Sequence, residues 1–393
     1  MKWAEYSLDD IIHIKHGYAF KGEFFSEEPT DDILLTPGNF NIGGGFKAQK
    51  LKYYNGDFPV DYILDENDVI VTMTDLSKEA DTLGFSAKVP AWFGKRFLHN
   101  QRIGLVSLKS DDFDLNYLYW LMRTYSYQRF VANGATGATV KHTSPTKICQ
   151  YKFTAPEDKT TQRKIASILS AYDDLIENNL KRIKLLEEKA FLRYKGIVRE
   201  EKLEKHILSD FGDIITGKTP STAIADYFGE DVPFIKTPEM HNQIFIEHTD
   251  QMLSELGAKS QEKKFLPPLS LCVSCIGTAG VVGITSKPSQ TNQQINSIVF
   301  NEKKNVYFFY ALMSQMKEQL DALGSNGSTF TNVNKNKFEN MEVFVPNQKV
   351  LEEFAQEFEA PYKLILTLQR QNTKLREARD ILLPKLMNGQ IEV

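Results

Sequence analysis

The sequence predicts an α+β protein built from two copies of one β-rich module, each followed by a long helix. Three observations carry that prediction. The first is internal duplication: Leu8-Asp9-Asp10-Ile11-Ile12 leads into Gly17, and Leu208-Ser209-Asp210-Phe211-Gly212 leads into Gly217. Thr36-Pro37 returns as Thr237-Pro238, Asn100-Gln101-Arg102-Ile103 as Asn292-Gln293-Gln294-Ile295, and Gly134–Thr139 as Gly324–Thr329. The second is that Pro156 and Pro346 each open a long pattern of helical period. The third is that the sequence before each proline consists of short apolar runs broken by Gly, Pro and Asn, as strands joined by turns require. A repeat of about half the chain length excludes a solenoid, whose repeats are far shorter.

The organisation that follows is module 1–155, helix 156–199, module 200–345, helix 346–393. In the first module, Ile33–Leu35, Val69–Met73 and Ile103–Leu108 read as strands, and the spacing over Leu115–Val131 predicts one helix. Gly43-Gly44-Gly45 reads as a flexible loop. Over Thr160–Lys195, Ile165, Ile168, Leu169, Tyr172, Leu175, Ile176, Ile183, Leu186 and Ala190 recur at gaps of three and four, which leaves one face apolar. Residues 206–345 repeat the first plan, with a helix near Val306–Leu323. In the last segment Leu351, Phe354, Phe358, Tyr362, Ile365, Leu368, Leu375, Ala378 and Leu382 form the second stripe. Pro361 predicts a short helix, a kink and a longer helix, and Pro384 with Gly389 predicts its end.

Each helical pattern is roughly 50 Å long at 1.5 Å per residue. Two matching stripes favour pairing as a coiled coil; separate packing on the two modules is the alternative. Asn179 and Asn372 fall on or near the stripes. Buried, they would fix the register at a cost in stability; a surface position is the other reading.

Composition limits the function classes. The chain has 393 residues and a net charge of −4, with 41% hydrophobic and 25% charged residues. Residues 1–155 hold 17 Lys+Arg against 19 Asp+Glu, and residues 206–345 hold 11 against 15. Phosphate attraction drives non-specific DNA affinity, so neither module is built as a strong stand-alone DNA binder. No apolar run approaches the ~20 residues of a membrane span, and Met1-Lys2-Trp3-Ala4-Glu5 carries no apolar signal core, so a cytoplasmic protein without membrane partners is expected. Three cysteines cannot form a disulfide framework. Cys272 and Cys275 lie three apart on a strand-like run, where they point to opposite faces, and read as buried thiols rather than metal ligands.

One motif matches a catalytic pattern by letters. Gly212–Thr219 satisfies G-x-x-x-x-G-K-[ST], a phosphate-binding loop that must follow a strand and open a helix. Here Pro220-Ser221-Thr222 follows at once, which is a poor start for a helix. A nucleotide-binding enzyme using this loop stays open as an alternative, as does a protein scaffold that never touches DNA. Other catalytic signatures are missing: no Gly-x-Ser-x-Gly, no His-Glu-x-x-His, and no dinucleotide fingerprint. No residue is a catalytic or metal-ligand candidate.

The remaining motifs form an ordered set. The central run is Gln162-Arg163-Lys164-Ile165-Ala166-Ser167-Ile168-Leu169, then Asp173-Asp174-Leu175-Ile176. The C-terminal run is Leu382-Leu383-Pro384-Lys385-Leu386-Met387-Asn388-Gly389-Gln390-Ile391. The second copy opens Gly217-Lys218-Thr219-Pro220-Ser221 and continues through Tyr227-Phe228-Gly229 to Val232-Pro233-Phe234-Ile235. In this order the chain resembles the specificity subunit of type I restriction–modification enzymes over its whole length. It departs from that pattern at Pro361, at Pro346-Asn347-Gln348, and at Lys15–Phe20, where the second copy has Gly-Lys-Thr-Pro-Ser.

The resemblance implies two target-recognition domains related by pseudo-two-fold symmetry and separated by two long antiparallel coiled-coil helices. Each domain would read half of a bipartite, asymmetric site in double-stranded DNA. The helices would set the spacing and dock two methyltransferase subunits, with room for restriction or translocase subunits. S-adenosylmethionine, ATP and magnesium would belong to those partners, leaving this chain non-catalytic and without a cofactor. Base readout needs paired donors and acceptors. The loops offer Lys15, Lys21, Asn39, Arg102, Thr139, Lys141 and His142 in the first module. In the second they offer Lys218, Thr219, Ser221, Lys236, His241, Ser328, Thr329, Asn332 and Lys335. For the Asn-Gln pairs at 100–101 and 292–293, DNA contact and a structural role are evenly matched.

Overall fold

The computed structural model describes residues 2–77, 79–325 and 331–393. The chain divides into two units, Met1–Asp174 with Arg376–Val393, and Leu175–Leu375. Each unit contains one module together with parts of both long helices.

The first unit holds two main sheets. A four-stranded antiparallel sheet has the order Ile12–His16, Ile103–Leu108, Val69–Thr72, Ser86–Lys88. A five-stranded sheet has the order Phe25–Ser26, Lys52–Tyr54, Asp32–Leu34, Arg96–Leu98, Ile63–Leu64, with Arg96–Leu98 parallel to Asp32–Leu34. Val69–Thr72 is buried on both faces, which explains its unbroken apolar run: Val69 and Val71 join one core and Ile70 another. Alternation with a period of two divides the strand between the two cores. Trp3–Ser7 pairs with Lys152–Pro156 and closes the module beside the start of the central helix.

The second unit repeats this plan. Its five-stranded sheet runs Gly212–Thr216, Ile295–Phe300, Leu271–Ser274, Val282–Thr285, Phe245–Ile246. A four-stranded sheet runs Phe228–Gly229, Met252–Leu253, Val232–Ile235, Gln290–Thr291. Glu204–Ile207 pairs with Glu342–Val345 as the first strand pairs with the last in the other module. Leu271 and Val273 face one core and Cys272 another.

The central helix spans Lys159–Glu200 and the C-terminal helix Gln348–Met387. Within the second unit they run antiparallel. Asn179 Nδ2 donates to Asn372 Oδ1 at 2.9 Å, and Arg193 pairs with Glu357 at 3.3 Å. Both asparagines are buried, which excludes the surface reading. Within the first unit, Asp173 is held between Arg123 (2.6 Å) and Arg379 (2.5 Å). Burial disfavours this carboxylate, but the two guanidinium groups outweigh it and hold it below its ordinary pKa.

Several expectations change. The single helix over Leu115–Val131 is two, Leu115–Leu121 and Tyr125–Asn133. Thr124 adopts an extended conformation between them; its hydroxyl donates to Leu121 O at 2.7 Å and accepts from Tyr127 N–H. The helix near Val306–Leu323 is likewise split into Val306–Met313 and Lys317–Gly324. In the C-terminal segment the reverse holds: Pro361 breaks nothing and the helix is continuous. An interior proline costs about 3 kcal/mol. Phe358, Tyr362 and Ile365, all buried around it, each contribute about 1.5–3 kcal/mol by burial and outweigh that cost. Pro384 also lies inside the helix, and Gly389 alone ends it. Gly389 takes φ +74° while Gln390 N–H bonds Lys385 O at 2.9 Å and Gly389 N–H bonds Leu386 O at 3.4 Å. Gly43-Gly44-Gly45 is a packed turn: Arg123 Nε donates to Gly43 O at 3.0 Å, and a Cβ on Gly44 would lie 2.6 Å from Arg123 Cγ.

Candidate nucleic-acid interface

In each unit four loops gather at one end of the sheet that begins with Ile12–His16 or Gly212–Thr216, held by the same backbone hydrogen bonds. In the first module Tyr18 N–H bonds His99 O at 2.8 Å, Met73 N–H bonds Arg102 O at 2.9 Å, and Thr143 N–H bonds Met73 O at 3.0 Å. In the second, Lys218 N–H bonds Thr291 O at 2.9 Å, Cys275 N–H bonds Gln294 O at 2.7 Å, and Val333 N–H bonds Cys275 O at 2.9 Å. Asn100 Oδ1 accepts from Arg102 N–H at 2.9 Å, and Asn292 Oδ1 from Gln294 N–H at 3.1 Å. The duplicated letters thus encode a duplicated frame. Both asparagine side chains close their own turns. Gln101 and Gln293 are left on the surface.

Gly17 and Gly217 occupy matching places in this frame. A Cβ would lie 2.1 Å from Asn100 O at the first and 2.1 Å from Asn292 O at the second. No side chain fits so close to a neighbouring backbone. The glycines of the phosphate-loop pattern therefore have a packing explanation, because a Cβ on Gly212 would also lie 2.1 Å from Val299 O. Gly212–Thr216 is a strand antiparallel to Ile295–Phe300. The next helical turn is the short 3-10 segment Ala225–Tyr227. The nucleotide-binding alternative lacks the helix N-terminus it needs, and the geometry gives Lys218 no phosphate cradle.

In the first module, Arg102, Thr139 and His142 are exposed, and Lys141 is half-buried in the short pair Thr74–Asp75 with Lys141–His142. His142 Nδ1 meets Thr74 Oγ1 at 3.2 Å. Lys15 lies on the adjoining strand Ile12–His16; its Nζ donates to Asp61 O at 2.9 Å and sits 4.7 Å from the Tyr62 ring centroid. Lys21 is exposed in the loop after that strand. Asn39 is a correction. It is 1% exposed, its Oδ1 accepts from Thr36 N–H (2.9 Å) and Thr36 Oγ1 (3.1 Å), and its Nδ2 donates to Lys47 O (3.2 Å). It closes the Thr36-Pro37 turn and presents nothing to a base edge. His99, one residue before the shared turn, is buried, which pushes it down to about 4; it stays a neutral core group.

In the second module, Lys218 and Ser221 are exposed, and Thr219 Oγ1 donates to Gln293 Oε1 at 2.6 Å. Asn332 is exposed opposite Ile276, and Lys335 is exposed at the start of the Lys335–Glu339 helix, 3.8 Å from Glu339. Lys236 and His241 flank the Thr237–Met240 turn, the first half-buried and the second exposed. Ser328 and Thr329 lie outside the described residues. The sequence reading missed Asp75, a buried carboxylate in the first loop cluster that accepts from Ser77 N–H and Thr82 N–H. Nothing in its local pattern separates it from a surface aspartate.

Cys272 and Cys275 are enclosed, and burial pushes their thiols up to about 12 and about 11. Among the described residues no cluster of His, Cys, Asp or Glu is arranged to hold a metal, and no helix is long and apolar enough to cross a membrane.

The family model of the type I restriction modification DNA specificity domain matches residues 1–188 and again 200–375. The chain belongs to this DNA specificity family. The double match coincides with the duplicated frame. The chain is 44% identical over 190 residues to the type I restriction enzyme HindI specificity subunit of Haemophilus influenzae, a match spanning 48% of this chain and 41% of that protein. It is 28% identical over 306 residues to the type I restriction enzyme MjaIX specificity subunit of Methanocaldococcus jannaschii, spanning 70% of this chain and 69% of the other. In fold it is similar to the crystal structure of the type I restriction–modification S subunit from M. genitalium. That match has a TM-score of 0.61 at 15% identity and covers 98% of this chain and 96% of that one. The two relatives are named specificity subunits, and the α+β fold with two specificity domains and two long helices agrees with the M. genitalium structure.

Proposed function

We propose that this chain is the sequence-reading subunit of a type I restriction–modification complex acting in the cytoplasm. Residues 1–155 and 200–345 each read one part of a split, asymmetric site in duplex DNA. The helical segments 156–199 and 346–393 set the number of unread base pairs between the parts. Two methyltransferase subunits dock on these helices and bring S-adenosylmethionine and the chemistry. ATP and magnesium belong to restriction or translocase subunits where those join.

The observation that supports this reading most is the loop cluster present in both modules. The backbone frame is the same, while the outward side chains differ: Arg102, Lys141 and His142 in one, Lys218, Ser221, Asn332 and Lys335 in the other. One frame with unlike donors suits two unlike half-sites, because base edges are distinguished by donor and acceptor pattern. The test is selection from a random duplex pool by this chain together with its methyltransferase. The expected product is two unlike conserved blocks separated by a fixed gap. Recovery of random sequence would leave a scaffold that does not touch bases.

A further inference from the structure

The loop cluster of the first module carries a large apolar side chain on its surface. Leu76 is 66% exposed. It follows Thr74–Asp75, which pairs with Lys141–His142, and Met73 beside it is bonded to Arg102 O and Thr143 N–H. The residue before it is anchored by hydrogen bonds. Asp75 is 4% exposed, and its carboxylate accepts from Ser77 N–H (2.7 Å), Thr82 N–H (2.7 Å) and Thr82 Oγ1 (2.6 Å). Ser77 Oγ donates to Asp81 Oδ1 at 3.0 Å.

The second module has the same scaffold with a different tip. Ile276–Gly277 pairs with Thr331–Asn332 in the place of Thr74–Asp75, and Thr278 then stands where Leu76 stands. Thr278 is exposed, and its carbonyl accepts from Ser274 Oγ at 2.6 Å, so this tip is also fixed. The same hydrogen-bonded frame thus presents leucine at one tip and threonine at the other. Leucine offers no hydrogen bond. In the major groove the apolar mark among base edges is the thymine 5-methyl group.

We propose that Leu76 is a specificity-determining residue of the first module that packs on the 5-methyl group of a thymine in its half-site. This rests on the DNA-reading function above. In the test, the complex with its methyltransferase modifies duplexes in which each thymine is replaced, one at a time, by deoxyuridine, which removes only that methyl. In the half-site read by the first module one replacement lowers kcat/KM about fourfold, the worth of one buried methyl-sized group. Leu76→Ala abolishes that difference while keeping the response to every replacement in the other half-site, and Leu76→Met retains it. A first half-site without thymine, a wild-type scan with no sensitive position, or a Leu76→Ala enzyme as sensitive as wild type overturns the assignment. Failure to select any sequence overturns the DNA-reading function itself and this inference with it.

Discussion

Gly17 and Gly217 are fixed by the backbone that passes beside them. With 2.1 Å between an added Cβ and the carbonyl oxygen of Asn100, Gly17→Ala must push two backbone segments apart. Overpacking of this kind costs about 1–3 kcal/mol, and the urea midpoint of the first unit should fall accordingly. An unchanged midpoint would show that the loop cluster is not the rigid frame described. The same scale shows where sequence reasoning stops. Asn39 and Arg102 look alike as polar loop residues, yet one is enclosed by Thr36 and Lys47 and the other is on the surface. The difference is made by hydrogen bonds to backbone eight residues away, which one-dimensional patterning does not encode.

At the scale of elements, the helical stripes were legible because each repeats over many turns. Their details were decided by local chemistry in both directions. Thr124 ends a helix that apolar spacing would continue, since its hydroxyl competes for the backbone. Pro361 fails to end one, since aromatic packing around Tyr362 exceeds the loss of a single donor. The Asn179–Asn372 pair gives a prediction. A buried polar pair is held at a cost in stability and returns register. Replacing both by leucine should raise stability by about 1 kcal/mol or more, read as a higher urea midpoint of the second unit, while broadening the range of spacer lengths the complex methylates. A lower midpoint with unchanged spacer selectivity would make the pair an ordinary packing contact.

For the whole molecule the controlling quantity is charge. The chain carries 47 Lys+Arg against 51 Asp+Glu, and neither module is basic. A protein that neutralises few phosphates gains little from counterion release. The isolated chain should therefore show weak duplex binding in a fluorescence anisotropy titration at 150 mM salt, on the order of the 10⁻⁴–10⁻⁶ M typical of non-specific contacts. Addition of the methyltransferase should bring sequence-specific binding. Tight specific binding by the chain alone would mean that the modules supply the phosphate grip themselves. Fold class and duplication were readable in the sequence because both rest on patterns repeated over long stretches. The packing of residues 376–393 into the first unit was not, since it brings chain ends together that are far apart in sequence.

The central claim is that two modules of one frame read different DNA independently. Its most direct measurement is methylation of the selected site and of single-base variants of each half by Arg102→Ala and Lys335→Ala complexes. Loss of a base contact costs about 1–3 kcal/mol at the position read. Arg102→Ala should relax discrimination in one block only and Lys335→Ala in the other block only. Equal relaxation of both blocks by either variant would contradict the account.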